Sequence, residues 1–351
     1  MGTFDDILGH GESLVKNEDA LDFEFIPKIL PHREKEQRYL ATCIKPLFME
    51  RTGRNLLIHG PPGIGKTVAT KHVLKELEDK TDDIHVIYLN CWQKNTSYKI
   101  VVEICDQLGF KFSQNKNTDE LFKVIAQIVN KKAAVFAFDE IDKVEDLDFL
   151  YRLLENIYKK TIFLITNYKS WLDDLDERIR SRLTLELVEF KPYNALEVKA
   201  ILKDRLKYAF VPGVWEDDAL ELAANKSAEI KDVRSGLFIL KESAFQAELT
   251  ASRKIQRGDV EKAISKLDNF TIKNSEDLEE EMQFIYGLVK ENSGKKIGDL
   301  FEIYQQNEGK SSYKTFQRKI EKLSENKFIS TKKQTGAGGN TTIVEKKLTD
   351  F

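Results

Sequence analysis

At 351 residues the chain exceeds the length over which one core keeps growing, so two or three domains are expected. Hydrophobic residues make up 41% and charged residues 32%, which excludes a fibrous or disordered chain, and a net charge of −3 excludes general attraction to nucleic acid. Any such binding must come from a local patch. Cys43, Cys91 and Cys105 form no C-x-x-C pair, and no stretch approaches the ~20 apolar residues of a membrane helix. A cytoplasmic protein with reduced thiols and no membrane partner is expected.

Residues 1–25 mix acids and glycines without periodicity and are expected to form a flexible lead-in. Ile26-Pro27-Lys28-Ile29-Leu30-Pro31-His32-Arg33-Glu34 follows, two prolines stiffening the entry to a helix that should run to about residue 50. Asn55-Leu56-Leu57-Ile58-His59 is an apolar strand, and 68–77 a helix. Between them, Gly60-Pro61-Pro62-Gly63-Ile64-Gly65-Lys66-Thr67 fits the G-x-x-x-x-G-K-[ST] phosphate loop at every fixed position. Glycines let successive N–H groups turn toward an anion, and the next helix points its positive end at the same place. Lys66 would neutralise the β and γ phosphates of ATP or ADP, and Thr67 would hold Mg²⁺ through its hydroxyl. A plain turn between strand and helix is the competing interpretation.

Strands are predicted over 86–89, 133–138, 161–166 and 185–188, with helices over 98–108, 119–130 and 147–159. This alternation implies an α/β fold with a parallel sheet and its chemistry at the strands' carboxyl ends. Asp139 ends the third strand beside the phosphate loop, where Mg²⁺ needs a carboxylate. Glu140 is the candidate base for an attacking water. Asn167 ends the next strand and would complete a polar cluster at the γ-phosphate. In 175–183, Arg178 and Arg182 stand one helical turn apart; either can act on a neighbouring subunit's γ-phosphate, or simply pair with Asp174 or Asp176 on a solvated face. Lys191-Pro192-Tyr193 breaks the pattern, 195–267 is helical, and Arg234 in Asp232-Val233-Arg234 can fold back onto the nucleotide.

After an expected linker at 269–274 come helices over 276–290, 297–306 and 312–325, then strands over 328–332 and 341–346 around a glycine-rich tip. Three helices and a two-stranded ribbon make a winged helix. From 310 to 347 there are ten basic residues against Glu321, Glu325 and Glu345, a balance of +7. Phe316, Ile320 and Leu323 mark the buried stripe of the third helix, leaving Lys314, Thr315, Arg318 and Lys322 outward to meet DNA. Gly338 and Asn340 in the tip, with Lys332 and Lys333 at its base, would enter a minor groove. A basic face on a protein-binding winged helix is the alternative.

Leu30-Pro31-His32-Arg33-Glu34, the loop 60–67, Asp139-Glu140-Ile141-Asp142, Asn167, 175–183 and Asp232-Val233-Arg234 resemble the ordered motifs of the AAA+ superfamily. With the winged helix they resemble the archaeal origin-recognition and cell-division-control initiator family, from about residue 24 onward. The resemblance implies an AAA+ P-loop NTPase base at 26–192, an α-helical lid at 193–272 and a DNA-binding winged helix at 273–351. It implies ATP or ADP and Mg²⁺ as ligands, a weak ATPase, double-stranded origin DNA and the MCM replicative helicase as partners, other copies or paralogues on DNA, and a nucleoid-associated location. By position Lys66 and Thr67 are Walker A, Asp139 and Glu140 Walker B, Asn167 sensor one, Arg234 sensor two and Arg182 the arginine finger, while Ile26 and Arg33 flank the adenine. The family's DNA-touching insertion would fall at 98–121, although 113–118 lacks the expected Pro and Gly. A clamp-loader-like motor and an ATP-binding transcriptional regulator are the competing functions.

Overall fold

The computed structural model describes residues 13–111, 116–276, 280–307, 309, 311–325, 328–336 and 339–346. The chain divides into two compact units, Met1–Ile264 and Ser265–Phe351. The first begins with α1 (Glu34–Ile44), β1 (Leu56–His59), α2 (Lys66–Lys80), β2 (Ile84–Asn90), α3 (Ser97–Gln107), α4 (Thr118–Val129), β3 (Ala133–Asp139), α5 (Asp148–Asn156), β4 (Lys160–Thr166), α6 (Glu177–Leu183) and β5 (Glu186–Glu189). The strands form one parallel sheet in the order β2-β3-β4-β1-β5.

β3 shows why its apolar run becomes a central strand. Every residue is buried: Ala134, Phe136 and Phe138 face the core shared with α3, α4, α5 and α6, while Ala133, Val135 and Ala137 face the core beneath α1 and α2. A strand with helices on both faces needs apolar side chains at both parities. Burying a side chain of this size contributes about 1.5–3 kcal/mol, so Phe136 and Phe138 anchor the sheet. The expected helix to residue 50 stops earlier. Pro46 lacks an N–H, and the chain tightens into a 3₁₀ turn, Lys45–Met49, that ends at Glu50 in the left-handed region.

The helical lid comprises α7 (Ala195–Ala209), α8 (Asp217–Ile230), α9 (Val233–Leu249) and the start of α10 (Arg257–Glu276), whose residues from Ser265 on fall in the second unit. Asn194 and Glu197 form a reciprocal capping box that starts α7 directly after Lys191-Pro192-Tyr193. α10 carries on through 269–274, the stretch expected as a linker.

The lead-in also differs from expectation over 13–25; residues 1–12 lie outside the described set. Lys16 and Asn17 donate their amides to Ala209 O at 2.7 and 3.0 Å. The buried Arg205 guanidinium donates to Ala20 O at 3.1 Å and stacks 4.8 Å from the Phe25 ring. A buried guanidinium must find acceptors, and here backbone carbonyls of 20–25 supply them.

The second unit contains α11 (Glu280–Glu291), β6 (Lys295–Lys296), α12 (Ile297–Gln306), α13 (Tyr313–Glu325), β7 (Ile329–Gly336) and β8 (Gly339–Lys346). Its antiparallel sheet has three strands, β6-β8-β7, because the two residues of β6 pair with β8, so the expected two-stranded ribbon gains a third strand. Phe316, Ile320 and Leu323 of α13 are buried with Ile285, Leu300 and Tyr304, giving a winged-helix-like core. Among the described residues no helix is long and apolar enough to cross a membrane.

Candidate functional site

β1 delivers the phosphate loop at its carboxyl end, and α2 begins at Lys66. Gly60, Gly63 and Gly65 have φ of 146°, 70° and 87°, all in the region that favours glycine. At Gly63 space matters as well as conformation, because an added Cβ would lie 1.8 Å from Asp232 Oδ1. Ile64 is buried and Val68 packs on the same core, so these two can offer a phosphate only backbone N–H groups. Pro61 is exposed and Pro62 half-buried on the loop's outer side.

Lys66 is 7% exposed, and its ammonium donates to Gly60 O and Pro61 O at 2.7 Å each and to Asn167 Oδ1 at 2.8 Å. All three donor hydrogens are satisfied, and Asn167 reaches Lys66 from just beyond the end of β4. Burial pulls the ammonium down to about 8, against the attraction of Asp139. The Thr67 hydroxyl donates to Asp139 Oδ2 at 2.6 Å.

Glu140 follows Asp139 at φ 54°, a strained position for a residue with a Cβ, and its amide donates to Asp139 Oδ1 at 2.9 Å. Burial first, then the Asp139 and Asp142 carboxylates, raise the Glu140 pKa above the usual glutamate value, while Arg234 opposes them. A raised pKa suits a group that must accept a proton.

The residues fit magnesium. A hydroxyl and a carboxylate, both hard oxygen donors, stand side by side at Thr67 and Asp139, and the described residues contain no group of three or more His, Cys, Asp or Glu arranged to hold a metal by themselves. Mg²⁺ characteristically takes one or two protein oxygens and completes its shell with phosphate and water. When bound with nucleotide it would supply charge neutralisation of the β and γ phosphates.

From the lid, Asp232 caps α9 by accepting the Arg234 amide at 2.8 Å, and the Val233 amide donates to Gly63 O at 3.1 Å. The lid thus touches the phosphate loop itself. Arg234 is exposed, and its charge is felt at both Lys66 and Glu140. Arg178 forks onto Asp176 at 3.2 and 3.0 Å. Arg182 pairs with Glu155 of α5 at 3.0 Å, 4.8 Å from the Tyr151 ring. Each of these two guanidiniums is held by an acid of its own chain.

Arg33 departs most from expectation. It is 5% exposed and donates to Ile64 O at 3.2 and 2.9 Å and to Lys191 O at 2.6 Å, pairs with Glu36 at 3.1 Å, and stacks 3.9 Å from the Tyr193 ring. Its donors brace the phosphate loop to the chain entering the lid. Ile26 is half-buried in the crossing from 13–25 to α1.

Two further residues lay beyond sequence reasoning. Tyr88 donates its phenol to Asp139 Oδ2 at 2.8 Å, and Asp142 accepts from Thr166 at 2.8 Å and pairs with Lys143 at 3.1 Å. Period-two alternation along β2 marks Tyr88 only as facing the α2 side.

In the second unit Lys314, Thr315, Arg318 and Lys322 are exposed on α13. Among the described residues the three cations have no hydrogen bond or ion pair, while Thr315 shares one with Ser312 at 3.0 Å. Lys319 instead reaches Glu281 of α11, which also accepts from Tyr304 and Ser311. Lys332 and Lys333 pair with Ile343 and Thr342, and Asn340 with Thr335. Gly338 lies outside the described residues, as do 112–115 of the proposed insertion.

Residues 49–206 match the AAA domain family model, and 199–265 match that of the Cdc6 AAA+ ATPase-type lid domain. The ORC1-type DNA replication protein of Cenarchaeum symbiosum is 30% identical over 326 residues, covering 86% of this chain and 79% of that protein. ORC1-type DNA replication protein 1 of Archaeoglobus fulgidus is 30% identical over 330 residues, covering 88% and 80%. The structure of the Aeropyrum pernix ORC1 protein in complex with DNA superposes at a TM-score of 0.72 with 24% identity, over 95% of this chain and 94% of that one. That of the A. pernix ORC2 protein in ADPNP-ADP complexes does so at 0.67 with 19% identity, over 95% and 94%. At these identities the two structures establish the shared fold. Phosphate loop, Cdc6-type lid and these relatives agree, and the chain belongs to the ORC1/Cdc6-type archaeal replication initiators.

Proposed function

We propose that this chain is an ATP-controlled origin-recognition protein that binds double-stranded origin DNA through its winged helix and AAA+ domain, helps recruit and load the replicative MCM helicase, and hydrolyses ATP slowly as a switch. The carrying observation is the division of labour on α13. Lys319 is committed to Glu281, whereas Lys314, Arg318 and Lys322, spaced by four residues along one face, have no partner among the described residues. Unpaired cations in a row are what a phosphate backbone neutralises, and Arg318 has the fork that reads guanine. A relative of this fold has been solved with DNA and another with ADPNP and ADP, which supports both ligands here.

At the nucleotide, Lys66 turns its donors from loop carbonyls to the β and γ phosphates, and Thr67 with Asp139 would hold Mg²⁺. Glu140 orients water and takes its proton, while Asn167 and Arg234 steady the γ-phosphate. Because the Val233 amide rests on Gly63 O, occupancy of the loop is communicated to the lid. Arg182, released from Glu155, is the cation offered to a neighbouring copy.

Genome-wide footprinting tests the proposal. A few repeated sites are expected. Protection confined to promoters would instead make the chain a regulator, and fast, concentration-dependent ATP turnover would make it a motor.

A further inference from the structure

A Walker-type aspartate needs one hydroxyl neighbour to share a metal with, yet Asp139 has two. Tyr88 donates to Asp139 Oδ2 at 2.8 Å, the oxygen that also accepts from Thr67 at 2.6 Å, and the Glu140 amide occupies Oδ1 at 2.9 Å. Strand register accounts for the reach. Tyr88 pairs with Ala137 and Asn90 with Asp139, so Tyr88 and Asp139 share a sheet face as diagonal neighbours.

The backbone of Tyr88 and its ring are each held. Gln107 of α3 bonds both the amide and the carbonyl of Tyr88, at 3.2 and 2.8 Å, and Lys71 of α2 lies 4.7 Å from the ring centroid. The first pins the backbone of Tyr88 on the edge strand β2, and the second places a cation over its ring.

We propose that Tyr88 is a positioning residue for the metal-holding carboxylate. With Tyr88 and Thr67 on one oxygen and the Glu140 amide on the other, the Asp139 carboxylate is confined to one rotamer before nucleotide and metal arrive. When Thr67 turns a lone pair to the metal, Tyr88 remains as a second side-chain donor that keeps Asp139 in place. Partners of this outer kind orient a ligand, and losing one typically costs 10–100-fold in metal affinity. The inference rests on the nucleotide-and-magnesium assignment above.

The test is equilibrium binding of a fluorescent ATP analogue to the full chain, once in EDTA and once in saturating Mg²⁺, for wild type, Tyr88→Phe and Tyr39→Phe. Tyr39 is the control: its phenol also donates to a carboxylate, Glu186, but at the first residue of β5, the end of the sheet away from the phosphate loop. Tyr88→Phe should keep its EDTA affinity within about twofold and lose on the order of tenfold of the Mg²⁺-dependent gain. Tyr39→Phe should keep that gain. An undiminished gain in Tyr88→Phe, or an equal loss with and without the metal, would overturn the positioning role. Absence of any gain in wild type would remove the magnesium assignment and this inference with it.

Discussion

At the phosphate loop, Lys66 is 7% exposed and bonded to three oxygens, and Arg33 is 5% exposed and spent on two carbonyls and an aromatic ring. On α13, Lys314, Arg318 and Lys322 stand in water with no partner among the described residues. The anions proposed for each account for the difference. A single triphosphate repays a pre-ordered cradle, where donors already aimed lose little entropy on binding. A duplex presents a long row of charges, and flexible cations reach it by exchanging counterions. On that proposal the loop should be sensitive to geometry, and the helix to ionic strength.

The largest expected effect lies at the loop. Glu140→Gln should retain nucleotide and lower hydrolysis by about 10²–10⁴-fold, measured in single turnover. Because the Glu140 pKa is raised, wild-type hydrolysis should fail on acidification at a pH above the usual glutamate value of 4.5, and the variant should lack that limb. Lys66→Ala should weaken nucleotide binding on the order of 100-fold. Duplex affinity measured without nucleotide should then be unchanged, and a matching loss would break the separation of the two regions.

Within α13 the contrast sharpens between neighbours. Arg318→Ala should cost about tenfold in duplex affinity and leave thermal unfolding unmoved. Lys319→Ala should do the reverse, because it strips Glu281 of its cation. Glu281 carries a pH signature of its own. Bonds from Lys319, Ser311 and Tyr304 hold its pKa down to about 2, below the ordinary 4.5. A depressed carboxylate stabilises the fold above its unfolded pKa, and that contribution disappears as pH falls from about 4.5 to about 2. Acid unfolding of the second unit should show this limb, and Glu281→Gln should abolish it.

The smallest effect concerns Lys231, which ends α8 at φ 60° where glycine is usual. Lys231→Gly should stabilise the lid by about 1 kcal/mol, read as a raised melting temperature.

The sheet and phosphate loop were legible because long apolar runs and a fixed glycine spacing depend on local sequence alone. The outward face of α13 was legible for the same reason, from Phe316, Ile320 and Leu323. β6 was not, since two lysines carry no strand pattern and pair only because β8 lies beside them. Docking of 13–25 depended on Arg205, some 180 residues away, needing buried acceptors. Arg33 was expected beside the adenine, yet its donors go to Ile64 and Lys191, a choice made by packing rather than residue type. Tyr88 needed strand register before its hydroxyl could be placed on Asp139.

The most direct measurement is duplex binding across a salt series, comparing wild type with the triple variant Lys314→Ala, Arg318→Ala, Lys322→Ala. If α13 grips the phosphate backbone through its lysines while Arg318 reads a base, the slope of log affinity against log salt should become shallower by about 1.8, at about 0.9 for each of the two phosphate contacts removed. An unchanged slope would contradict the assignment of this face to DNA.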